Sequence, residues 1–470
     1  MPAKSQSKQS NCAPECEKER KIPQRTARGG RGKGAQGEEG IEGSEKAAIL
    51  SPSAPEQLSA HCPHPKQTGP TQRRRESAGW STALAMPSQD VVLRIKKRAK
   101  TLTLKQEEIT KAAGIFNGFI DPFISYLKEC PERPYFKKVT KLTTGSYYEF
   151  VKIDHPDEFD VMLALPVRSY RYTEVDDWNG LYYKVTLLRQ SRSFPKPFLL
   201  EDGNTVSPVK VLEEFRKHVS QFIASSYKGW KMKLSRKKQN SPAATVVMLD
   251  DKGDEVVSID LVPALEISPP WPDSCGVGKD VEKWLGKKTK LRNNPFYFVA
   301  KQPRGHDDKE QYDGYVMLFC IAEVWRISFS HIEKEILNNH GNTKTGCESH
   351  HIKCCRKICI RLLKSLFKDL KKNYPRQLSH LCSYYAKTSF FHTLTQWKED
   401  SDWKRSDIAS CFLRVLDDFI QHVENTNLPH FLIPNCNLFY SFPPKDLKFL
   451  LERLREQKGN GLQAFASHEE

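Results

Sequence analysis

Three carboxylates define the chemistry open to this chain. Glu158 and Asp160 stand two residues apart in the run Glu-Phe-Asp-Val-Met-Leu-Ala-Leu. A strand alternates its side chains between two faces, so both acids project together while Phe159, Val161, Leu163 and Leu165 point into a core. Two acids side by side repel unless a cation stands between them. Mg²⁺ (or Mn²⁺) is the natural candidate, because it prefers carboxylate oxygens shared with substrate phosphates. Just upstream, Gly145 and Ser146 follow Thr144 in a sharp turn that leaves backbone N–H groups and a hydroxyl free to cradle phosphate. A third acid, Asp260, lies in Glu-Val-Val-Ser-Ile-Asp-Leu-Val, where Val257, Ile259 and Leu261 share one face and Asp260 joins Ser258 on the other. A lone Glu-x-Asp is most often a solvated strand edge; the turn upstream and the acid downstream change that balance. Three such carboxylates can hold two metal ions, one lowering the pKa of an attacking hydroxyl, the other steadying a departing pyrophosphate.

Acids so placed need a sheet beneath them and a wall above. Apolar patterning predicts strands at 135–142, 158–167, 182–188, 244–249 and 256–262, with a helix over 209–227 between the third and fourth. Ahead of the sheet, apolar residues from Val91 to Leu127 recur at helical spacing, as two helices or as one broken near 101–103. Residues 228–240 read as a basic, flexible segment. Beyond Pro269-Pro270-Trp271 the pattern turns helical, with helices starting at Trp325 and spanning 355–374, 390–395, 405–423 and 444–455. The expected architecture is α+β and bilobal. A mixed-sheet lobe over 91–270, with a long N-terminal helix, faces a helical C-terminal lobe over 271–470.

Composition sets the outer bounds. The chain of 470 residues, 38% hydrophobic, is long enough for one large core or two. It shows no apolar run of bilayer length and no hydrophobic leader, which predicts a soluble intracellular protein, at most peripheral to membranes. Residues 1–90 form an expected disordered basic tail, rich in Ser, Gly, Pro and charge, with Trp80 as its one aromatic. Most of the formal net charge of +17 lies beyond that tail, as a surface meeting a polyanion requires; a merely soluble basic protein would look the same.

Of the 13 cysteines, four cluster between Cys347 and Cys359. Among them, His340, Cys347, Cys354 and Cys355 suit a tetrahedral structural zinc site in the loop 340–355, the alternative being thiols without metal. The helix that follows carries Cys359, Leu362, Leu363, Leu366, Phe367 and Leu370 on one face and Lys357, Arg361, Lys364, Lys368 and Lys371 on another.

Longer stretches carry a resemblance. Thr-Gly-Ser-Tyr-Tyr-Glu, Glu-Phe-Asp-Val-Met, the run from Arg326 through His340, Lys353-Cys-Cys-Arg-Lys, and Ser383-Tyr384 before Lys387-Thr-Ser-Phe-Phe-His are similar to the cyclic GMP-AMP synthase family. These are DNA-sensing nucleotidyltransferases related to the oligoadenylate synthetases, and the likeness runs from about Val91 to Phe465. The resemblance implies that Glu158, Asp160 and Asp260 bind two Mg²⁺ and that Thr144 and Ser146 hold a triphosphate. It implies that Arg326, Ser328, Ser330, Lys364, Ser383 and Tyr384 position nucleotides, Tyr384 by stacking on a base. Activation by double-stranded DNA follows from it, with Lys334, Lys344, Lys357 and Arg361 meeting the duplex, as do a DNA-induced homodimer, contact with nucleosomes and a place in cytosol and nucleus. The implied reaction joins ATP and GTP into a cyclic dinucleotide with one 2′–5′ and one 3′–5′ linkage, a second messenger of innate immunity.

Two departures stand out. The family's zinc motif has two adjacent cysteines where this chain has Gly346-Cys347, so Cys355, His350 or His351 must replace the missing ligand. Between Lys301 and Trp325 the chain is longer than the family pattern, with an apolar stretch at 315–322. Two other functions compete. An RNA-activated oligoadenylate-type transferase would lack the zinc loop; a non-catalytic nucleic-acid-binding module would have lost a carboxylate, and all three are present.

Overall fold

In the computed structural model the described residues are 87–129, 134–189, 196–225, 229–238, 240–276, 281, 291–303, 323–340 and 354–468. Residues 1–86 of the expected tail, most of the zinc loop and the apolar stretch 315–322 lie outside them, while 89–90, expected in the tail, begin the first helix. Two helices come first, α1 (Gln89–Thr101) and α2 (Gln106–Glu129). Next are β1 (Thr140–Thr144), the single turn α3 (Gly145–Tyr148), β2 (Glu158–Pro166), β3 (Tyr170–Glu174) and β4 (Tyr182–Leu187). Helix α4 (Pro208–Ser225) leads to β5 (Lys231–Leu234), β6 (Ala244–Leu249), β7 (Glu255–Ile267), β8 (Phe296–Val299) and β9 (Trp325–Ser328).

These strands form one nine-stranded sheet among the described residues, in the order β1-β2-β7-β8-β9-β4-β3, with β6 paired to β7 and β5 to β6. Its centre is the parallel pair β2–β7, a pairing that demands a long crossover, and α4 lies within that crossover. The register sets Asp160 directly opposite Asp260. On the other side of β2, the antiparallel register sets Thr144 of β1 opposite Asp160 as well.

One face of the sheet is sealed by α2 and α4. Ile115, Phe116, Phe119, Phe123 and Leu127 repeat at three- and four-residue spacing along α2 and meet Phe159, Val161, Leu163 and Leu165, all buried. Phe116 stacks on Phe159 with ring centroids 4.6 Å apart. Each such side chain is worth about 1.5–3 kcal/mol when removed from water. That apolar anchor fixes which way β2 faces, and so fixes its acids on the opposite side.

The remaining chain is largely helical: α5 (Ser330–Asn338), α6 (Arg356–Asn373), α7 (Ser383–Gln396), α8 (Ile408–Glu424) and α9 (Pro444–Gly459), with a small ribbon of β10 (Pro429–His430) and β11 (Ile433–Asn437). The apolar face of α6 is buried here as predicted, from Cys359 to Leu370. Helix α1 joins the same core through Ile95, and Arg98 donates to Ser365 Oγ of α6 at 2.8 Å. No helix among the described residues is long and apolar enough to cross a membrane.

Several boundaries differ from the sequence reading. Only 140–142 of the strand expected over 135–142 is extended, and β1 runs on to Thr144. Tyr135 and Phe136 turn instead into an aromatic cluster with Phe198 and Phe215. The segment expected to be flexible contains β5, whose Lys231 and Lys233 are exposed and whose Met232 and Leu234 are half-buried. The helix expected from Trp325 begins at Ser330; before it, Trp325 and Ile327 are buried alternately with Arg326 and Ser328, the two-residue period of a strand. Strands β3 and β8 are additions, and α7 extends well beyond the predicted 390–395.

Candidate active site

Gly145 has φ +80, and a Cβ built there would stand 1.9 Å from Asp160 Oδ2. Glycine is thus required twice, for the left-handed backbone and for the close approach of β2. The turn is also internally tied: Val151 N–H donates to the Ser146 carbonyl at 2.9 Å.

Asp160 is largely buried among like charges. Burial, then Glu158, Asp260 and Glu149, push its carboxyl up to about 7, while Lys152 pulls the other way. Lys152 Nζ lies 2.7 Å from Glu158 Oε2, and Thr245 Oγ1 donates to Asp260 Oδ1 at 2.6 Å. No three His, Cys, Asp or Glu side chains among the described residues are gathered in ligand geometry. The donor set nevertheless fits a hard divalent cation: all oxygen, strongly anionic, and carrying one carboxyl that its surroundings leave short of positive charge.

Beside Asp160 opens a cavity of about 410 Å³. It brings together Thr144, Asp160, Arg326, Ser328, Ser330 and Tyr384 of the residues singled out from sequence, and also Lys301. Ser328 Oγ and Ser330 Oγ are 3.0 Å apart at the start of α5. Ser146, Glu158, Asp260, Lys364 and Ser383 are not on its wall. Lys364 instead donates to the Val151 carbonyl at 2.8 Å, and burial lowers its ammonium to about 8.

Sequence reasoning missed the ion network within this wall. Lys387 Nζ, on α7, bridges Glu149 Oε1 at 2.6 Å and Glu333 Oε2 at 2.7 Å. Tyr384 OH donates to Glu333 Oε1 at 2.7 Å and lies 2.8 Å from His430 Nε2. Burial alone would raise the Glu333 carboxyl; Lys387, followed by His430 and Tyr384, holds it below the ordinary value. The phenol of Tyr384 is therefore fixed at its oxygen while its ring borders the cavity. Glu149, Glu333 and Lys387 all fall inside the stretches that carry the resemblance, which was the available signal; charges on amphipathic helices otherwise read as solvated.

Around the zinc motif, His340 is buried, its Nδ1 bonded to the Leu337 carbonyl and its Nε2 3.5 Å from Cys354 Sγ. A carbonyl on Nδ1 orients Nε2 as a metal ligand, so this pair suits zinc. Cys355 does not join it: its thiol hydrogen-bonds with Cys359 and Cys411 in the core between α6 and α8. Cys347, His350 and His351 lie outside the described residues.

The basic residues expected to meet DNA are engaged within the protein. Lys334 donates to Thr143 O and Oγ1 at 2.8 and 3.0 Å. Lys357 is buried, 3.2 Å from Asn338 Oδ1 and 4.7 Å over the Phe150 ring, and Arg361 Nη1 reaches the Leu102 carbonyl at 3.4 Å. Lys344 lies outside the described residues.

Acids paired across neighbouring strands beside a glycine turn, one of them on the wall of a cavity, define a nucleotidyltransferase. Residues 147–339 match the Mab-21 protein nucleotidyltransferase domain and residues 355–456 the Mab-21 protein HhH/H2TH-like domain. The chain is 36% identical over 401 residues to cyclic GMP-AMP synthase of Mus musculus, spanning 84% of this chain and 75% of that one. It is 36% identical over 370 residues to the synthase of Sus scrofa, 77% of this chain and 70% of that one. A cyclic GMP-AMP synthase-like receptor of Magallana gigas is 26% identical over 374 residues. The chain belongs to the cyclic GMP-AMP synthase family of Mab-21 nucleotidyltransferases.

Proposed function

We propose that this enzyme joins ATP and GTP into cyclic GMP-AMP, with one 2′–5′ and one 3′–5′ linkage, in response to double-stranded DNA. The observation that carries the reading is the pairing of Asp160, on the wall of the Arg326–Tyr384 cavity, with Asp260 across β2 and β7. In this reading Glu158, Asp160 and Asp260 would hold two Mg²⁺ (or Mn²⁺), whose charge would activate the hydroxyl and steady the departing pyrophosphate. Thr144 and Ser146 hold the triphosphate at the Gly145 turn. Arg326, Ser328, Ser330 and Tyr384 orient the nucleotides within the cavity; Ser383 and Lys364 reach them only after a rearrangement that frees Lys364 from Val151. His340, Cys347 and Cys354 hold a structural zinc, with His350 or His351 completing the set because Cys355 is occupied elsewhere. DNA would meet Lys334, Lys344, Lys357 and Arg361 and must displace the internal partners of those described; a DNA-induced homodimer, nucleosome contact and a place in cytosol and nucleus belong to the same reading.

The test is incubation of the full chain with ATP, GTP and Mg²⁺, with duplex DNA, with duplex RNA, or alone. Cyclic GMP-AMP appearing with DNA is expected. Linear oligoadenylates appearing with RNA, or no product under any condition, would overturn the proposal.

A further inference from the structure

Tyr440 is 36% exposed, one of few large hydrophobic side chains so open to solvent among the described residues, and it borders the cavity. It sits in the short turn Leu438–Ser441, which is rigidly built. Leu438 and Phe439 are buried, and the Asn437 side chain accepts from Phe439 N–H at 3.0 Å. The ring is braced twice. Trp178 meets it edge-on, with centroids 5.5 Å apart, and its phenol is hydrogen-bonded with Tyr182. Tyr182 is buried and stands opposite Arg326 in the β4–β9 register. Arg326 itself lies beside Tyr182, Tyr384 and Tyr440.

An aromatic ring held at its edge and oxygen, yet open on a cavity wall, is prepared for a flat partner before that partner arrives. The turn does not depend on this ring for its anchor, which the buried Leu438 and Phe439 supply. The same wall presents a guanidinium, a group that donates and never accepts, suited to the acceptor edge of a base. We infer that Tyr440 is a base-stacking residue of the nucleotide cavity, a second aromatic surface beside Tyr384 that takes the purine ring of a nucleoside triphosphate. This rests on the reading of the cavity as the nucleotide site.

The experiment compares Tyr440→Ala, Tyr440→Phe, Tyr440→Trp and Tyr384→Ala in the full chain. Binding of non-hydrolysable ATP and GTP analogues is measured by calorimetry, with separate KM values for ATP and GTP, kcat, and the melting temperature. Loss of base stacking on an aromatic ring should weaken one nucleotide about tenfold in affinity and KM in Tyr440→Ala. The kcat and melting temperature should hold, and Phe and Trp should restore most of the binding. Unchanged affinities in Tyr440→Ala, or an equal loss in Tyr440→Phe, would overturn the stacking role, the second by showing that only the hydroxyl tether matters. If Tyr384→Ala also binds both analogues normally, the failure belongs to the cavity assignment; if Tyr384→Ala alone is weakened, it belongs to Tyr440.

Discussion

Replacing Lys387 with methionine would remove the cation that Glu149 and Glu333 share. Both carboxylates are nearly sealed from water, at 2% and 5% exposure, and their oxygens stand 2.6 and 2.7 Å from Nζ. At an effective dielectric of about 20, each contact is worth roughly 6 kcal/mol before the desolvation that opposes it. The net cost of deleting one partner of such a buried set is about 3–5 kcal/mol, because two charges are left in a medium that cannot solvate them. Methionine preserves the bulk and the helix, so little of the loss is attributable to packing or propensity. Urea unfolding of the parent, Lys387→Met, Glu149→Gln and the double variant would measure it. The single lysine variant should lose about 3–5 kcal/mol, and adding Glu149→Gln should return at least ~1 kcal/mol by neutralising one stranded charge. A Lys387→Met protein within ~1 kcal/mol of the parent, or a double variant whose losses simply add, would refute the reasoning.

Other consequences can be checked in the same way. Asp260→Asn should abolish product formation while leaving the melting temperature near that of the parent, since it removes a carboxylate charge but keeps an acceptor for Thr245; turnover at the parent rate would sink the three-carboxylate assignment. Gly145→Ala should be inactive and destabilised, because its Cβ would press on Asp160 from a left-handed backbone position; a stable, active variant would show that the turn can shift. Burial lowers both His331 and His430 to about 4, so their neutral forms are favoured in the fold; the stability each provides is present above about pH 6.5 and is lost as pH falls toward 4, up to roughly 3 kcal/mol apiece. His331→Phe should flatten that acid limb of an unfolding-versus-pH curve, and an unchanged limb would exclude His331 as a contributor. Arg361→Glu should lower DNA-stimulated product formation, and parent DNA affinity should fall steeply with salt irrespective of sequence; an Arg361→Glu enzyme with a normal DNA response would point to another surface.

What the chain reveals before folding depends on how far its signals travel. The two-residue alternation of Phe159, Val161, Leu163 and Leu165 is local, so the orientation of Glu158 and Asp160 could be read directly, as could that of Asp260. Strand β9 was obscured because Trp-Arg-Ile-Ser runs without a break into the helical period of α5. The Lys387–Glu149 bridge joins residues 238 positions apart, and no local pattern announces such a pairing. Nor does spacing reveal that Cys355 turns toward Cys359 and Cys411 while its neighbour Cys354 faces His340. The lysines of α6 show the limit of helical wheels: the basic stripe is real, but Lys357 and Lys364 are drawn inward to Asn338 and Val151.

The parallel pairing of β2 with β7 also governs how the enzyme comes into being. Glu158 faces Ser258 and Pro166 faces Glu266, so every rung of the ladder joins residues a hundred positions apart, across α4 and the β5–β6 hairpin. Loop closure over that span must precede any gain from the rungs, which makes this a slow, non-local step of folding. The acids come together only on its completion. A chain still collapsing could already have formed α2 and α4, whose hydrogen bonds are local, and look half native by circular dichroism, yet it would have no assembled pair of aspartates, so catalytic competence should lag behind the recovery of helical signal.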